Sequence, residues 1–524
     1  MASNTAKLWR EAVLGTAAGI LLVLGAWCVR TLHPLAAPPL LPYLSTQWPD
    51  FGNNPWQDRF SPLPLAPTDL SHLTQAFRTP LPVQSSPEEA FPLEVDGRLY
   101  LSTVGGGVAV FAAATGTPLW AVAGSGTAPN RGVAVSDGRV FVLSSDNRLR
   151  ALDASSGHLL WQVPVTRPGD GPGYFETTAP VVAGDLVVVG ISGGDSGTRG
   201  FVEALSAQDG HQVWRFFTVP APGQGWVPVQ GNHGGGSVWT PVTVDPSGGE
   251  IFASVGNPSP DFYGAVRPGP NPYTDGVIAL ALSDGRLGWY GSEVSHDLWD
   301  YDAASPPLLF PLPGGGLGVG EAGKSGYWFE WNAATGRPLI SPLAFVREQH
   351  SPPTAAGTLQ WPGTWGGANY GPSAYDPETG DALVAGIEQP QIIRAEPQPH
   401  PAGAPDFGTV MMSAPGTSPT GSITAIDVRS GRSVWTTSLD RPALGGVTVT
   451  AGGVVLAGTV QGQVLALDAK SGKILWRRDT GSAIGSAPIV YRDQGRIYVV
   501  VALGGGGMAL APRQDALVGW VLVG

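Results

Sequence analysis

The densest group of chemically capable side chains lies in the stretch HDLWDYD, from His296 to Asp302. Three carboxylates, one imidazole and two aromatic rings fall within seven residues of a chain that is only 13% charged. Carboxylates at this spacing can accept a proton from a substrate or bind a hard cation through oxygen. The same stretch would also suit a solvated turn, so its meaning depends on the elements that position it.

The composition favours a turn-rich β protein. The 524 residues include 75 Gly and 50 Pro, which are dispersed among apolar runs. This length suits two or three ordinary domains or one large repeat architecture. A net charge of −12 without a basic cluster argues against nucleic-acid binding. The single cysteine, Cys28, excludes an intramolecular disulfide, a CxxC zinc site and a CxxCH haem attachment within this sequence.

An uncharged segment near the N-terminus, Ala12–Val29, has a length close to the minimum of about 17–25 residues for a membrane span. We predict that residues 1–30 form a signal anchor or a cleaved signal peptide and that 31–47 are a Pro-rich linker. Basic residues ahead of the segment favour an N-terminus inside the cell. We therefore expect residues 48–524 to lie outside the cytoplasm, in the periplasm or cell envelope, anchored to the cytoplasmic membrane by the N-terminal helix.

One sequence pattern repeats along the chain: an alternating apolar strand, a tight turn on Asp or Ser-x-Gly, and a strand that ends in Trp. Two of the spacings between these tryptophans are 41 residues, which is the period of a four-stranded propeller blade. Seven copies, together with one strand set shared between the termini, predict an all-β, eight-bladed propeller whose tryptophans pack between neighbouring sheets. Six copies are Val108–Trp120, Leu149–Trp161, Phe201–Trp214, Val277–Trp289, Ile423–Trp435 and Val464–Trp476, and Tyr327–Leu339 is a weaker copy without the final Trp.

The repeat form ALDAxxGxxxW resembles the tryptophan motif of the quinoprotein alcohol dehydrogenases, eight-bladed propellers that bind pyrroloquinoline quinone (PQQ). Further stretches make the resemblance more specific, and together they cover the chain from about Trp48 to Gly507. They are WPDFGNNPWQDRFSPL (48–63), EAFPLEVDGRLYLST (89–103) with NRGVAVSDGRVFV (130–142), TTAPVV…GISGGDSGTRGFVEA (177–204), and GGGSVWTPVTVDP…ASVGNPSP (234–260), which leads into HDLWDYDAASP.

The resemblance implies a set of cofactor contacts. PQQ is flat and carries three carboxylates and an ortho-quinone, so it needs an apolar or aromatic floor and charge-assisted donors. The family grips it with the Glu of E-x-x-P and the Arg of N-R-G, and places a Lys or Arg as electrophile beside the quinone oxygens. The cofactor residues implied in this chain are Glu89, Arg131, Thr177, Ser192, Gly193, Ser237, Trp239 as the floor, Lys324 and Asn369.

The resemblance also implies a metal ion, with Ca²⁺ as the default and a lanthanide as the alternative. Its ligands would be Asp195, Asn257 and Asp300, and Asp302 would join them if the ion is a lanthanide. Asp300 and Lys324 would be the catalytic residues. Asp300 would take the alcohol proton while hydride passes to the quinone. We expect His296 and Asp297 to shape the loop and Glu88 to be solvated.

Four positions depart from the family pattern. A vicinal cysteine pair is replaced by Ser125 and Gly126, Asp195 stands where most members have Glu, and Ser237 replaces a Thr. Leu444 stands where alcohol-oxidising members often have a Trp. The cofactor roof and the substrate pocket should therefore differ from those of typical members, and methanol is not a safe guess for the substrate.

The sequence thus predicts a PQQ- and metal-dependent dehydrogenase of an alcohol or sugar, with electrons passing to a separate cytochrome c or to membrane quinone. The alternatives are a non-enzymatic envelope scaffold of the outer-membrane assembly type and a PQQ-binding sensor without turnover. A scaffold would keep the repeated tryptophans and lose the pocket acids. This chain keeps the GNP and WDYD motifs, which packing does not require.

Overall fold

The computed structural model describes residues 44–82, 88–221, 234–395, 403–405, 407 and 409–523. The predicted membrane or signal segment lies outside these residues, as does most of the predicted linker. Within the described part, the helices are short 3-10 turns at Pro67–His72, Val104–Gly106, Gly194–Ser196 and Gly264–Val266. None of them has the length and apolar character needed to cross a membrane.

The described chain is all-β, as predicted. Eight of its sheets have four main strands, and seven of these take their four main strands in chain order. Sheet 1 comprises Leu93–Val95, Arg98–Thr103, Gly107–Ala112 and Pro118–Val122; sheet 2 Ala134–Ser136, Arg139–Ser144, Arg148–Asp153 and Leu159–Pro164; sheet 3 Val181–Ala183, Leu186–Gly190, Phe201–Ser206 and Gln212–Phe217; and sheet 4 Thr243–Asp245, Glu250–Val255, Gly276–Ala281 and Leu287–Ser292.

The second half of the chain continues the plan. Sheet 5 comprises Leu308–Pro311, Leu317–Ala322, Tyr327–Asn332 and Leu343–Ala344; sheet 6 Ala374–Asp376, Asp381–Glu388, Thr420–Asp427 and Arg432–Leu439; sheet 7 Val447–Thr450, Val454–Gly458, Gln463–Asp468 and Ile474–Asp479, with Phe60–Ser61 added in parallel; and sheet 8 Ile489–Asp493, Arg496–Leu503, Ala516–Leu522 and Leu73–Pro80. Two smaller sheets pair Gly234–Gly235 with Pro258–Ser259, and Gln391–Ala395 with Thr358–Gln360 and Thr409–Ser413.

Sheet 8 takes strands from both ends of the described chain, as the repeat count predicts. Its outer strand, Leu73–Pro80, precedes sheet 1 in sequence but pairs antiparallel with the C-terminal strand Ala516–Leu522. On the same outer strand, Phe77 packs against Gly116 of sheet 1. The strand Leu73–Pro80 therefore connects sheet 8 to sheet 1.

In the described part of the chain, five of the six repeated tryptophans pack against the turn glycine of the following sheet, as predicted for a docking role; Trp476 does not. The indole of Trp214 in sheet 3 lies over Gly285 in the outer turn of sheet 4, and its Nε1 donates to the carbonyl of Leu282 at 2.8 Å. The same pair of contacts is made by Trp120 with Gly157 and Ala154, by Trp289 with Gly336 and Ala333, and by Trp435 with Gly472 and Ala469.

Gly285→Ala should destabilise the protein through this contact. Gly285 has a φ of +69°, and an added Cβ would lie 2.5 Å from the Trp214 ring. We expect a loss of about 2–4 kcal/mol in the free energy of unfolding, from left-handed strain plus overpacking. The matched control is Gly249→Ala, because Gly249 has a φ of +67° but open space around it. If denaturant titrations show the same loss of unfolding free energy in both variants, the contact with Trp214 does not contribute to stability.

The segment before sheet 1 is fixed by one buried guanidinium. Arg59 stacks on Trp48 and Phe91, at 4.9 and 5.4 Å from their ring centroids. It donates to the carbonyls of Phe51, Val447 and Pro488 and to the hydroxyl of Thr448. Each of its three nitrogens donates at least one hydrogen bond inside the protein, which makes the burial of this charge tolerable. The segment is thereby held against the ends of sheets 7 and 8, beside the group of residues described next.

Candidate functional site

The predicted site residues lie at corresponding positions of successive sheets. Glu89, Arg131, Thr177, Trp239 and Asn369 each precede the first strand of a sheet by three to five residues. Asp300 and Asp302 lie in the segment that leads into the first strand of sheet 5. Ser192, Asp195, Asn257 and Lys324 each follow the second strand of a sheet. Because these two strands are antiparallel, the start of one and the end of the other lie at the same edge. The fold therefore collects residues from six sheets at one end of the molecule.

Asp300 lies in a loop that Asp297 holds together. The two carboxylate oxygens of Asp297 accept the backbone N–H groups of Trp299 and Tyr301, each at 3.1 Å. The Tyr301 hydroxyl donates to the carbonyl of Pro362 at 2.6 Å. Asp300 has a φ of +61°, an uncommon conformation that Asp tolerates better than most residues. The expected framing role of Asp297 is thus visible in its hydrogen bonds.

Lys324 pairs with both acids of the WDYD motif. Its Nζ lies 2.7 Å from Asp300 Oδ1 and 2.6 Å from Asp302 Oδ2. The other oxygen of Asp302 accepts the backbone N–H of Asn257 at 2.6 Å. Burial raises the pKa of Asp300 well above its usual value, although Lys324 opposes the shift. Burial lowers the pKa of Lys324, but Asp300 and Asp302 outweigh it and leave that pKa above its usual value.

Asp195 lies on the short Gly194–Ser196 turn. Gly193 precedes it with a φ of +108°, a conformation that favours glycine, and Gly194 N–H donates to Ser237 Oγ at 2.8 Å. Burial raises the pKa of Asp195 to about 6, with Asp302 adding to the shift and Lys324 opposing it. Asp195, Asp302 and Lys324 therefore share one electrostatic environment.

A half-buried tryptophan joins this acidic group to a second one. The Arg131 guanidinium lies 4.8 Å from the Trp239 ring centroid and 4.6 Å from that of Tyr370, and pairs with Glu89 at 2.8 Å. Lys324 Nζ lies 5.8 Å from the same Trp239 centroid. Two cations therefore lie within 6 Å of the centroid of one aromatic ring. The residues predicted to bind a cofactor and those predicted to bind a metal meet around it.

The remaining predicted cofactor residues already have protein partners. Thr177 Oγ1 and Ser192 Oγ share a hydrogen bond of 2.9 Å, and the backbone carbonyl of Thr177 accepts the N–H of Arg131. The Asn369 amide is bonded within its own loop, to the carbonyl of Trp365 and the N–H of Tyr370.

The structure corrects one expectation and adds two residues. Glu88 was expected to be solvated, which is wrong: it is only 2% exposed, and it accepts the N–H of Ala90. Sequence reasoning missed Tyr370, although it lies beside Asn369 in the motif GGANYGP. It also missed Asp261, the acid that directly follows GNPSP and is 0% exposed. In both cases the signal was the position next to a quoted motif.

The other two departures from the family pattern lie in different surroundings from Asp195 and Ser237. Ser125 Oγ bonds to Asp146 at 2.7 Å near the protein surface, and Leu444 is buried in an apolar group with Tyr370 and Phe91. Across the described residues, no three His, Cys, Asp or Glu side chains are grouped closely enough to be a metal site by themselves.

Comparison with known proteins first identifies the class of protein to which this chain belongs. Residues 48–344 match the family described as "Glucose/ethanol/alcohol dehydrogenase, beta-propeller domain". Residues 419–523 match a second description, "Outer membrane protein assembly factor BamB". The fold resembles the solved quinohemoprotein alcohol dehydrogenase ADHIIG of Pseudomonas putida, with a TM-score of 0.84 and 25% identity over 91% of this chain and 80% of that one. The predicted propeller is confirmed.

The curated relatives narrow the class to a family. The quinohemoprotein alcohol dehydrogenase ADH IIB of Pseudomonas putida is 30% identical, over 90% of this chain and 75% of its own length. That of Comamonas testosteroni is 29% identical, over 81% and 68%. The chain belongs to the family of PQQ-dependent alcohol dehydrogenases. A europium-containing methanol dehydrogenase shares the fold, with a TM-score of 0.83 and 23% identity over 91% of this chain and 98% of that one.

Proposed function

We propose that this protein oxidises an alcohol with metal-bound PQQ, outside the cytoplasm, in a propeller of which each of the eight four-stranded sheets is one blade. The observation that carries the proposal is that two cations lie near the ring of Trp239: Arg131, and Lys324, which is paired to Asp300 and Asp302. Packing alone does not need two cations and three acids around a half-exposed indole. A flat trianionic quinone does need such a surface.

The residues present fit the cofactor. Trp239 offers an aromatic face that is only half-buried, and the guanidinium of Arg131 offers charge-assisted donors beside it. The proposed cofactor contacts are the predicted ones: Glu89, Arg131, Thr177, Ser192, Gly193, Ser237, Trp239, Lys324 and Asn369. Glu89 acts through Arg131, because its carboxylate orients the guanidinium.

The residues present also fit a hard cation. Asp195, Asn257 and Asp300 would be its protein ligands, and Asp302 a further one. The amide nitrogen of Asn257 donates to the Pro258 carbonyl, so its amide oxygen can serve as the ligand. We propose Ca²⁺ or a lanthanide as the ion.

The chemistry assigned to this chain is proton transfer. Bound PQQ supplies the quinone that accepts hydride, and the metal supplies a Lewis acid. Asp300 takes the hydroxyl proton of the substrate, since its burial makes it a stronger base than a solvated carboxylate. Lys324 holds Asp300 in place and brings positive charge to the quinone oxygens, and Asp297 fixes the loop.

For the substrate and the electron acceptor we propose classes of molecule rather than single compounds. Relatives carry names such as "Alcohol dehydrogenase (quinone), dehydrogenase subunit" in Gluconacetobacter polyoxogenes and "1-butanol dehydrogenase (cytochrome c)" in Thauera butanivorans. These names support an alcohol, with a sugar as the alternative, and either membrane quinone or cytochrome c as the acceptor. Residues 1–30 would be the signal or anchor, 31–47 the linker and 48–524 the propeller.

A second candidate is the non-enzymatic scaffold, which the match of residues 419–523 favours. The two functions are separated by reconstituting purified protein with PQQ and either Ca²⁺ or La³⁺. PQQ binding is followed by absorbance, and turnover by dye reduction over a panel of primary alcohols and sugars. Absence of PQQ binding would exclude the dehydrogenase, and binding without turnover on any substrate would indicate a sensor.

A further inference from the structure

The side chains on either side of Asp300 are both held by one later segment of the chain. Trp299 Nε1 donates to the carbonyl of Ser351 at 2.9 Å, and the Tyr301 hydroxyl donates to the carbonyl of Pro362 at 2.6 Å. Both acceptors are backbone carbonyls, so the segment itself, and not a mobile side chain, provides the attachment. Asp300 is therefore tied to this segment through both of its neighbours.

His350 lies in the same segment, and its ring completes an aromatic cluster. The imidazole centroid lies 5.0 Å from that of Tyr301, edge to face, and 6.1 Å from that of Trp299. The rings of Trp299 and Tyr301 in turn stack on each other at 5.9 Å. These separations are those of favourable aromatic contacts. One imidazole thus packs against the two residues that flank Asp300.

The segment around His350 is fixed by its own hydrogen bonds. The backbone N–H groups of Gln349 and Trp361 each donate to the carbonyl of the other, at 2.7 and 3.3 Å. The fully buried side chain of Gln360 accepts the N–H of Ser351 at 3.2 Å and donates to the Ser351 carbonyl. The residues on both sides of His350 are therefore held, which gives its ring a defined place.

His350 also packs beside the turn that carries Lys324. Its ring lies 6.1 Å, edge to face, from that of Tyr327, the first residue of the third strand of sheet 5. Five residues before His350, the N–H of Phe345 donates to the carbonyl of Gly326 at 3.0 Å. The same stretch of chain therefore contacts the elements that carry both members of the salt bridge between Lys324 and the base.

The imidazole contributes as an uncharged ring. Burial lowers the pKa of His350, although the carboxylate of Glu348 opposes the shift. Its Nε2 is buried and has no hydrogen-bond partner among the described residues. Packing of the neutral ring is therefore the contribution that the geometry supports.

We propose that His350 is a positioning residue for Asp300, because its ring holds Trp299 and Tyr301 and, through them, the carboxylate between them. The left-handed backbone of Asp300 needs support from its surroundings to persist. A general base displaced by about 1 Å can lose about 100-fold in rate. The effect on catalysis rests on the proposed function, whereas the effect on the loop does not.

The direct test is amide hydrogen exchange of the full-length protein, which needs neither cofactor nor substrate. The N–H groups of Trp299 and Tyr301 donate to Asp297, so their exchange reports opening of the loop. We expect His350→Ala to accelerate exchange in peptides covering residues 296–302 by about tenfold and to leave sheet 1 unchanged. Unchanged exchange in this loop would overturn the proposal.

Replacement by a second aromatic residue separates ring packing from imidazole chemistry. His350→Phe should keep wild-type exchange and a kcat within about threefold of the wild type, measured as dye reduction with PQQ and metal. His350→Ala should lower kcat by about 10–30-fold with KM within about twofold. If the Phe variant loses as much as the Ala variant, packing is not the role of His350. If the Ala variant does not fold, His350→Leu fills the space without an aromatic edge and serves for the same measurements.

The matched control is Phe217→Ala. Phe217 is also a half-buried ring, 5.9 Å from Phe201 and 4.1 Å from the Arg199 guanidinium, in the fourth strand of sheet 3. It should lower the melting temperature without changing exchange in residues 296–302 or kcat. Equal changes in the control would show that loss of any such ring loosens the loop, and the proposal would be wrong.

Failure of this inference can be told apart from failure of the proposed function. If the wild type neither binds PQQ nor turns over, the dehydrogenase is excluded, and the exchange rates still decide whether His350 holds the loop. If the wild type turns over and His350→Ala changes neither exchange nor kcat, only the role of His350 is wrong.

Discussion

Asp300→Asn should lower kcat by about 10³-fold, within the range of 10²–10⁴ that a positioned general base contributes. An amide cannot accept the hydroxyl proton, whereas its oxygen can still accept the hydrogen bond from Lys324 that Asp300 makes at 2.7 Å. Asn also tolerates the left-handed backbone at this position. The loss should therefore appear in turnover, measured as steady-state dye reduction with PQQ and metal at saturation. PQQ affinity, measured by absorbance titration, should change little.

The control for this variant is Asp137→Asn. Asp137 also has a positive φ, +48°, but it is an exposed residue in the first hairpin turn of sheet 2, away from the site. It should leave kcat and the melting temperature unchanged. Turnover of Asp300→Asn within a few-fold of the wild type would remove Asp300 from the role of base.

Much of the fold could be predicted because its signals are local. The turn glycine and the Trp of each copy are a few residues apart, and their spacing along the chain gives the sheets. The site was predictable for a related reason. Arg131 and Trp239 stand three and four residues before the first strand of a sheet, so the repeat itself places them at a common edge.

The remaining features of the site could not be predicted, because they depend on contacts between residues far apart in sequence. Tyr370 lies against the Arg131 guanidinium although the two residues are 239 positions apart, and no local sequence pattern predicts the contact. Glu88 follows a segment rich in Ser and Pro but is buried against the last sheet, where it bridges to Gly505. Asp261 is a lone acid in the sequence, and only the fold shows that its side chain is fully buried.

The second large effect is expected at Arg131. Arg131→Gln should raise the Kd for PQQ by about 100-fold, the equivalent of losing a charge-assisted hydrogen bond worth up to 3 kcal/mol. The Arg131 side chain is 7% exposed, and its guanidinium lies close to two aromatic rings and is oriented by Glu89. It can therefore bind the cofactor without first changing its conformation. Absorbance titration with PQQ measures the loss. The control is Arg215→Gln, because Arg215 is also buried over an aromatic ring, that of Phe201, and paired with Glu203. It should lower stability without changing PQQ affinity.

A double-mutant cycle with Glu89→Gln distinguishes two roles of Arg131, neutralising Glu89 or binding PQQ. If Arg131 only neutralises Glu89, removing both charges should restore the stability and the pocket, and PQQ should bind the double variant almost as tightly as the wild type. If Arg131 binds a carboxylate of PQQ, the double variant still lacks that cation and should stay as weak as Arg131→Gln. Glu89→Gln alone should then lose less affinity than Arg131→Gln, because the guanidinium remains between Trp239 and Tyr370 and only its orientation is less fixed. We expect the second pattern, since a purely structural ion pair would not need to lie against the half-exposed ring that also faces Lys324.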